Sequence, residues 1–362
     1  MKVQLLEIQR SEAMHYSRSS RAGAHWRTSA TPEQPMICDW DVQTFEYWME
    51  VLDREGKEPH LPKSGLKVRT PLQKKRLNEV LQLYQMQDSY HFWDDEPNED
   101  LWWAPHVKDF TQISGTLAPV SSTNERSPAQ ASKIRWAASC RAPSINVPQY
   151  LLYLQEKARV LGVKVIKARV PTDAGIEKAL AVAESTARAN GRPPADCFLN
   201  ATGLGALKLC EDHKMFPIRG QTVLVRGEAS ATRTRTGEGY TAYCIPRPSS
   251  GMTILGGTKE KGNWSEEVHP ETTKVILERN SYMVPELLTA SDGGFEVVSV
   301  QCGLRPGREG GPRMEKQTIG GKKVVHAYGH SSGGYQNSVG SARLVVKMVT
   351  ESVGGSSELA RL

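Results

Sequence analysis

Apolar residues recur at helical spacing over residues 39–55, where Val42, Phe45, Trp48, Met49 and Leu52 share one stripe. Asp39 stands where a cap belongs and Gly56 follows the last turn, so a helix is expected there. A second helix is expected from Pro148, a residue suited to a first helical turn. Leu151, Leu152, Leu154, Ala158 and Leu161 form its apolar face, and Gly162 closes it. Residues 163–170, VKVIKARV, alternate and are rich in β-branched side chains, which predicts a strand. Further strands are expected at 195–200, 222–225, 243–246, 252–256, 295–300 and 323–327. A last helix is expected over 337–353, with Val339, Ala342, Val345, Val346 and Val349 facing inward. Residues 85–143 show little periodicity, and 119–131 (PVSSTNERSPAQA) have the composition of a loop. Strands and helices thus alternate around a β-rich middle. The pattern predicts an α/β fold, a nucleotide-binding domain with a β-rich substrate domain inserted.

A chain of 362 residues has room for two domains. No apolar run approaches the roughly 18 residues that span a bilayer, and the patch within residues 1–20 is too short for a secretory leader. A soluble, unexported chain with no membrane partner is expected. The net charge of +6 comes from scattered Lys and Arg with one concentration at Arg226, Arg233 and Arg235. No nucleic-acid reading motif accompanies it, which excludes that class of partner. The six cysteines include no CxxC pair, so neither zinc nor a redox dithiol is indicated.

Four segments carry candidate chemistry. In ATGLGA (201–206) two glycines let backbone approach a phosphate or a flat ring, and the helix that follows offers unpaired N–H groups. A tight strand–helix turn without a ligand would read the same. The run Arg21, Ala22, Gly23, Ala24, His25, Trp26 either admits a flat ligand, with Trp26 on the substrate side, or forms an ordinary buried turn. In CGLRPGREGGPR (302–313), Arg305 stands between an apolar strand and a proline turn. Its planar fork matches both oxygens of a carboxylate, and carboxylate binding is the leading reading for it. Arg308 and Arg313 are read as solvated. In VHAYGHSSGGYQ (325–336), Gly329, Gly333 and Gly334 strip side chains from a turn that opens the last helix, a place that favours negative charge. His326 and His330 lack an acidic or thiol neighbour, so they are read as loop or core histidines, with no metal.

In this order the four segments resemble the D-amino-acid oxidase family of flavoenzymes. The resemblance runs from about Arg21 to the C-terminus and is dense from Ala195. PIRGQTVLV (217–225), AYCIPRP (242–248), ILGGTKEKGNW (254–264), HPET (269–272), GLRPGREGGPR (303–313) and HAYGHSSGGYQ (326–336) carry it. It implies FAD as cofactor, a D-amino acid and O2 as reactants, and a homodimer. The reaction implied is transfer of the α-hydrogen as hydride to the flavin, giving hydrogen peroxide, a 2-oxo acid and ammonia. The fold implied is an FAD-binding Rossmann-like domain, incomplete at its N-terminus, made of residues 1–38, 133–215 and 295–362. Residues 39–132 and 216–294 then form the β-rich substrate-binding and interface domain.

The resemblance also assigns roles. Arg305 and Tyr243 hold the substrate carboxylate, and Ser332 and Gln336 lie in the loop facing its amine. Ala22, Gly23, Ala24 and His25 match a flavin-contacting turn, and Gly203, Leu204 and Gly205 the nucleotide-side turn. Val170, Arg305, Gly329, Ser331, Ser332, Gly333, Gly334, Tyr335 and Gln336 complete the cofactor contacts.

The pattern breaks in three places. The strand, GxGxxG turn and helix that open the family have no counterpart before Arg21. The string GEGYTA (237–242) follows polar TRTRT and is read as a decoy. A truncated or inactive paralogue unable to hold FAD is therefore a rival reading. Lys259 replaces a second active-site tyrosine of many fungal members and is expected to face solvent. Residues 85–144 match the family poorly. Arg233 or Arg235 is expected near the substrate, which would favour acidic D-amino acids and make D-aspartate oxidation the alternative activity. The last three residues, Ala360, Arg361 and Leu362, resemble a peroxisomal address.

Overall fold

The computed structural model describes residues 4–8, 23–57, 84–96, 101–114 and 134–354. The chain opens with β1 (Gln4–Ile8), α1 (Pro35–Lys57), β2 (Tyr84–Trp93), β3 (Lys108–Ser114) and β4 (Trp136–Ile145). Then come α2 (Val147–Val160), β5 (Lys164–Ala168), α3 (Gly175–Ala189), β6 (Phe198–Asn200) and α4 (Ala206–Leu209). Strands β7 (Met215–Arg226), β8 (Thr232–Gly237), β9 (Tyr240–Arg247), β10 (Met252–Gly256) and β11 (Glu260–Lys261) lead into α5 (Pro270–Ser281). The chain continues through β12 (Val297–Arg308), β13 (Arg313–Ile319), β14 (Lys322–Tyr328) and α6 (Ser338–Ser352).

The expected mixed α/β fold is present. Among the described residues, nine strands form one sheet in the order β11-β7-β10-β9-β8-β2-β4-β3, with β12 on the other edge of β7. Two smaller sheets stand apart: β1 with β5, parallel, and β13-β14-β6. Among the described residues, strand β6 has a ladder on one side only, and its Leu199 is half exposed.

Several expectations need correction. Residues 4–8 form a strand, although five residues read only as an apolar patch in the sequence. The span 85–143 contains three strands rather than loop alone. Buried polar residues such as Gln87, Ser89 and His91 stand where apolar ones would mark the inward face, so no period stands out. TRTRTG is itself strand β8, with Thr232, Arg233, Thr234 and Arg235 all buried. GEGYTA then spans the turn of the β8–β9 hairpin, Gly237 opposite Tyr240, with no helix after it, in line with its reading as a decoy. On α2 only Val147 and Tyr150 are buried, and Leu152, Leu154 and Leu161 of the expected face are exposed. On α6 the buried positions are Gly340, Ser341, Met348 and Thr350, whereas Ala342 and Val346 face out. The rotation follows from packing: Gly340 lies against Trp40 of α1, where any Cβ would overlap that residue.

The two faces of the large sheet differ in chemistry. One is apolar, with Val223, Val225, Cys244 and Leu255 packed on Ile276 of α5 and on Val284 and Leu287. The other carries Tyr243, Thr222, Thr234 and His91, and α1 covers its far end through Trp48, Phe45 and Met49 against Cys140, Ala142 and Trp26. No described helix is long and apolar enough to cross a membrane.

Candidate active site

Directly opposite residues of neighbouring strands share a face, so register alone assembles the site. Tyr243 lies opposite Gly256 and Thr234, and Gly256 lies opposite Thr222. Ile218, Gly220 and Thr222 alternate along β7, which sets Gln301, Gly303 and Arg305 of β12 on the same face as Tyr243. Glycines make room for both heads. The Tyr243 ring lies over Gly256 and the Arg305 guanidinium over Gly220, and a Cβ at either glycine would overlap them. The Tyr243 hydroxyl abuts Gly257, and Arg305 Nη1 donates to the Thr258 carbonyl at 3.2 Å. The two polar heads therefore meet at residues 257–258.

Arg305 differs in its pairing from four other arginines of the sheet and its neighbourhood. Arg219 pairs with Glu260 at 2.7 Å, Arg233 with Glu286 at 3.0 Å, Arg235 with Asp94 at 2.6 Å and Arg308 with Asp212 at 2.9 Å. No carboxylate lies within ion-pair reach of Arg305 among the described residues. A fork with a carbonyl on one side and no carboxylate in reach has the geometry to take one.

Three loops close on this face. Residues 23–26 run along β4, with Trp26 N–H donating to Pro143 and Ile145 N–H to Ala24, both at 3.0 Å. Ala24 takes a left-handed φ of 42°, which L side chains rarely adopt, and such strain gathers at functional turns. Gly23 comes so near Ile245, two residues from Tyr243, that a Cβ would sit 2.8 Å from its Cδ1. The loop after β14 is tied beside Arg305 by Ser331 N–H to the Pro306 carbonyl at 2.9 Å, and Ser331 also has a positive φ, 52°. A Cβ on Gly203 (φ 57°) would meet Pro306 at 3.7 Å, so the 203–205 turn and the 329–336 loop share that neighbour.

Helix α1 holds these loops from behind. Trp26 Nε1 donates to the Asp41 carbonyl at 2.8 Å and Gln336 Nε2 to Asp41 Oδ2 at 3.3 Å. Thr44 Oγ1 accepts Val339 N–H at 3.1 Å, and the Trp40 and His330 rings lie 6.1 Å apart. Burial, helped by Arg27, holds His25 down at about 3, and burial alone holds His330 at about 4. His91 is pushed well down by burial, then by Arg27 and His25. All three rings are neutral near pH 7.

Most of the expected site residues converge here: Gly23, Ala24, His25, Tyr243, Arg305, Gly329, Ser331, Gly333, Tyr335 and Gln336, with Gly203 alongside. Ser332 and Gly334 lie in the same loop and are exposed. Leu204 and Gly205 are buried in a 3-10 turn, but the helix after it, α4, has only four residues. The expected helix terminus for a phosphate is therefore absent, and close backbone approach is what that turn offers. Val170 belongs to an apolar cluster with Ala179 and Leu209. Trp26 is core, 4.9 Å from Phe45, rather than a substrate contact. Ala22 and the tripeptide 360–362 lie outside the described residues.

Arg233 and Arg235 require a correction. They lie opposite Cys244 and Ala242, on the face away from Tyr243, and both are already paired with carboxylates. They cannot receive a second substrate carboxylate. Lys259 is exposed, as expected. Sequence reading missed Gly220, Gly256, Gly257, Asp41 and His91. Glycine inside a strand pattern was an available signal for the first two, and an acid on an otherwise apolar helix stripe for the fourth.

A sheet face with a tyrosine and an arginine out of reach of any described carboxylate, closed by glycine-rich loops, suits a small anionic molecule. The comparisons supply the class. A family model described as FAD dependent oxidoreductase (DAO) matches residues 2–348, and the chain belongs to that family. It is 34% identical over 263 residues to a D-amino-acid oxidase of Schizosaccharomyces pombe, covering 70% of this chain and 69% of that one. It is 29% identical over 339 residues to a D-aspartate oxidase of Talaromyces thermophilus, covering 91% and 78%. Among solved structures, the fold is similar to glycine oxidase from Bacillus cereus (TM-score 0.62, 16% identity, 97% and 88% covered). It is also similar to iminodiacetate oxidase from Chelativorans (TM-score 0.64, 13% identity, 99% and 90% covered).

The chain is thus an oxidoreductase whose cofactor is FAD. Its residues fit the ring end of that cofactor. Buried polar atoms without a partner among the described residues include His25 Nε2, Asp41 Oδ1, His330 Nε2, Asn337 Oδ1 and Ser338 Oγ. Orphans of this kind cost free energy unless a ligand meets them. They come from the three segments that the Trp26–Asp41, Gln336–Asp41 and Trp40–His330 contacts hold together.

Proposed function

We propose that this chain oxidises D-amino acids to 2-oxo acids and ammonia, with neutral side chains preferred over acidic ones. The observation that carries the reading is the Arg305 guanidinium, without an anion and beside the Tyr243 hydroxyl, on the face toward which the cofactor loops turn. Arg305 grips the α-carboxylate through its fork and Tyr243 adds a hydroxyl donor. Two points fix a carboxylate, and the loop at 329–336 receives the amine, so the α-hydrogen is held in one direction. When bound, FAD supplies the acceptor for that hydride and passes the electrons to O2 as hydrogen peroxide. His25, His91 and His330 are neutral near pH 7 and add no charge of their own to the site. Arg233 and Arg235, the cations expected to draw an acidic side chain, lie on the other face and are already paired. The Ala360-Arg361-Leu362 terminus supports a peroxisomal location, sensible for a peroxide producer. A homodimer, FAD-binding residues 1–38, 133–215 and 295–362, and an inserted substrate domain complete the proposal.

The test is peroxide-coupled turnover of FAD-loaded protein, with flavin absorbance recorded first. D-Alanine should exceed D-aspartate in kcat/KM by about tenfold or more, the consequence of burying one unpaired charge. Colourless protein that takes up no FAD defeats the catalytic reading, and preference for D-aspartate defeats the neutral one. Gly220→Ala sharpens the assignment. A methyl there displaces the Arg305 head, and misplacement on the order of 1 Å costs roughly 100-fold in kcat/KM, with FAD content unchanged. Unaltered kinetics in that variant would remove Arg305 from the site.

A further inference from the structure

Asp41 is fully buried in the second turn of α1, and no cation answers its charge among the described residues. Its Oδ2 accepts from Gln336 Nε2 at 3.3 Å, and its Oδ1 has no partner. A carboxylate only accepts hydrogen bonds. The Gln336 amide must therefore turn its NH2 toward Asp41 and its Oε1 away from α1. A substrate amine carries donors and needs an acceptor of that kind.

We propose that Asp41 is a positioning residue: it locks the Gln336 amide so that the oxygen, not the nitrogen, meets the substrate amine. The proposal rests on the reading above that the 329–336 loop receives that amine. Burial pushes Asp41 up to about 7, with hydrogen bonds from Thr28 and Gln336 pulling the other way. The charged and titratable groups on the elements packed against it are His25 and Arg27 in the segment beside β4, His330 in the loop, Cys38 on α1 and Glu33 just before it. The histidines are held at about 3 and about 4, and burial raises the Cys38 thiol, so Asp41 is the group here that ionises near neutrality.

The sign of its effect on stability follows. The folded chain holds the Asp41 proton more tightly than the unfolded chain, whose aspartate titrates at 3.8. Stability from this residue is therefore full below pH 3.8 and is lost as pH rises from there to about 7. A side chain kept only for packing would not carry that cost. Asp41→Asn keeps the shape but can bond either end of the amide, so the lock is lost while the penalty is relieved.

The experiment compares wild type and Asp41→Asn, each also in a Gln336→Met background. Thermal unfolding of the FAD-free chain is measured at pH 8 and pH 5. KM for D-alanine and the inhibition constant of propionate, which has the carboxylate but no amine, are measured on the FAD-loaded protein. Asp41→Asn should raise the midpoint at pH 8, by less at pH 5. It should raise KM for D-alanine by about tenfold, one misplaced hydrogen bond, and leave propionate within about twofold. With Gln336→Met already present, the KM effect should vanish, because the two residues act as one unit. A lower midpoint at pH 8, KM and propionate constants rising together, or no KM change overturns the proposal. Wild type that oxidises no D-amino acid defeats the function reading and the proposal with it. Wild-type turnover without the KM–propionate split defeats the proposal alone.

Discussion

Arg305→Leu lowers kcat/KM for D-alanine by at least about 1000-fold, while FAD absorbance and the unfolding midpoint stay near wild type. The size follows from what the guanidinium does. Removing one partner of a desolvated charge pair costs about 3–5 kcal/mol, or roughly 100- to 5000-fold in a rate constant. The upper half is expected here, because Arg305 both binds and orients: lost aim adds to lost affinity. Stability is spared for a separate reason. The guanidinium makes one hydrogen bond, to the Thr258 carbonyl, and no ion pair among the described residues. Its removal strands no buried carboxylate. Arg305→Lys divides the two contributions, keeping the charge without the fork, and should recover no more than about tenfold of the loss. A wild-type rate in Arg305→Leu would mean that the carboxylate is held elsewhere on the sheet.

Much of the candidate site is legible in the sequence, for a physical reason. Arg305, Gly203 and the 329–336 loop belong to contiguous strings whose glycines and charge must lie near one another in sequence to make a turn or a clamp. Tyr243 was legible only by resemblance. Its role depends on Gly256 one strand away and Arg305 three strands away, in the order β9-β10-β7-β12, and no local pattern encodes register. Arg233 and Arg235 went wrong for the same cause. The alternation TRTRT says that arginines share a face, but which face is decided by pairing with Cys244 and Ala242. Strands β2, β3 and β4 were hidden because a buried polar face puts Ser89, His91 and Gln87 where apolar residues normally signal burial. The helices α1, α2 and α6 were found to within four residues at their starts. The faces of α2 and α6 were not, since valine and leucine spacing cannot show that a glycine, Gly340, makes the closest approach to Trp40.

Asp94→Ala unfolds the chain more readily than any change at Arg305, by about 3–5 kcal/mol in urea titration, the usual cost of breaking a buried pair from one side. Asp94 Oδ1 accepts Arg235 Nε at 2.6 Å, and its Oδ2 takes the Tyr240 hydroxyl at 2.7 Å. The Arg235 side chain is only 2% exposed, so the guanidinium left behind has no water to turn to. Tyr282 beside it, its ring 5.1 Å away, offers a π-face and a hydroxyl but no charge. Replacing both partners by apolar residues of similar size, Asp94→Leu with Arg235→Met, should return most of the loss, because no charge is then stranded. Substrate choice separates this structural role from the substrate-reading one first expected of Arg233 or Arg235. The pair lies on the face opposite Tyr243, so folded double variant keeps the wild-type ratio of D-aspartate to D-alanine turnover within about twofold, the scatter of uncoupled sites. A selective fall in D-aspartate oxidation would put Arg235 back among the residues that read the substrate.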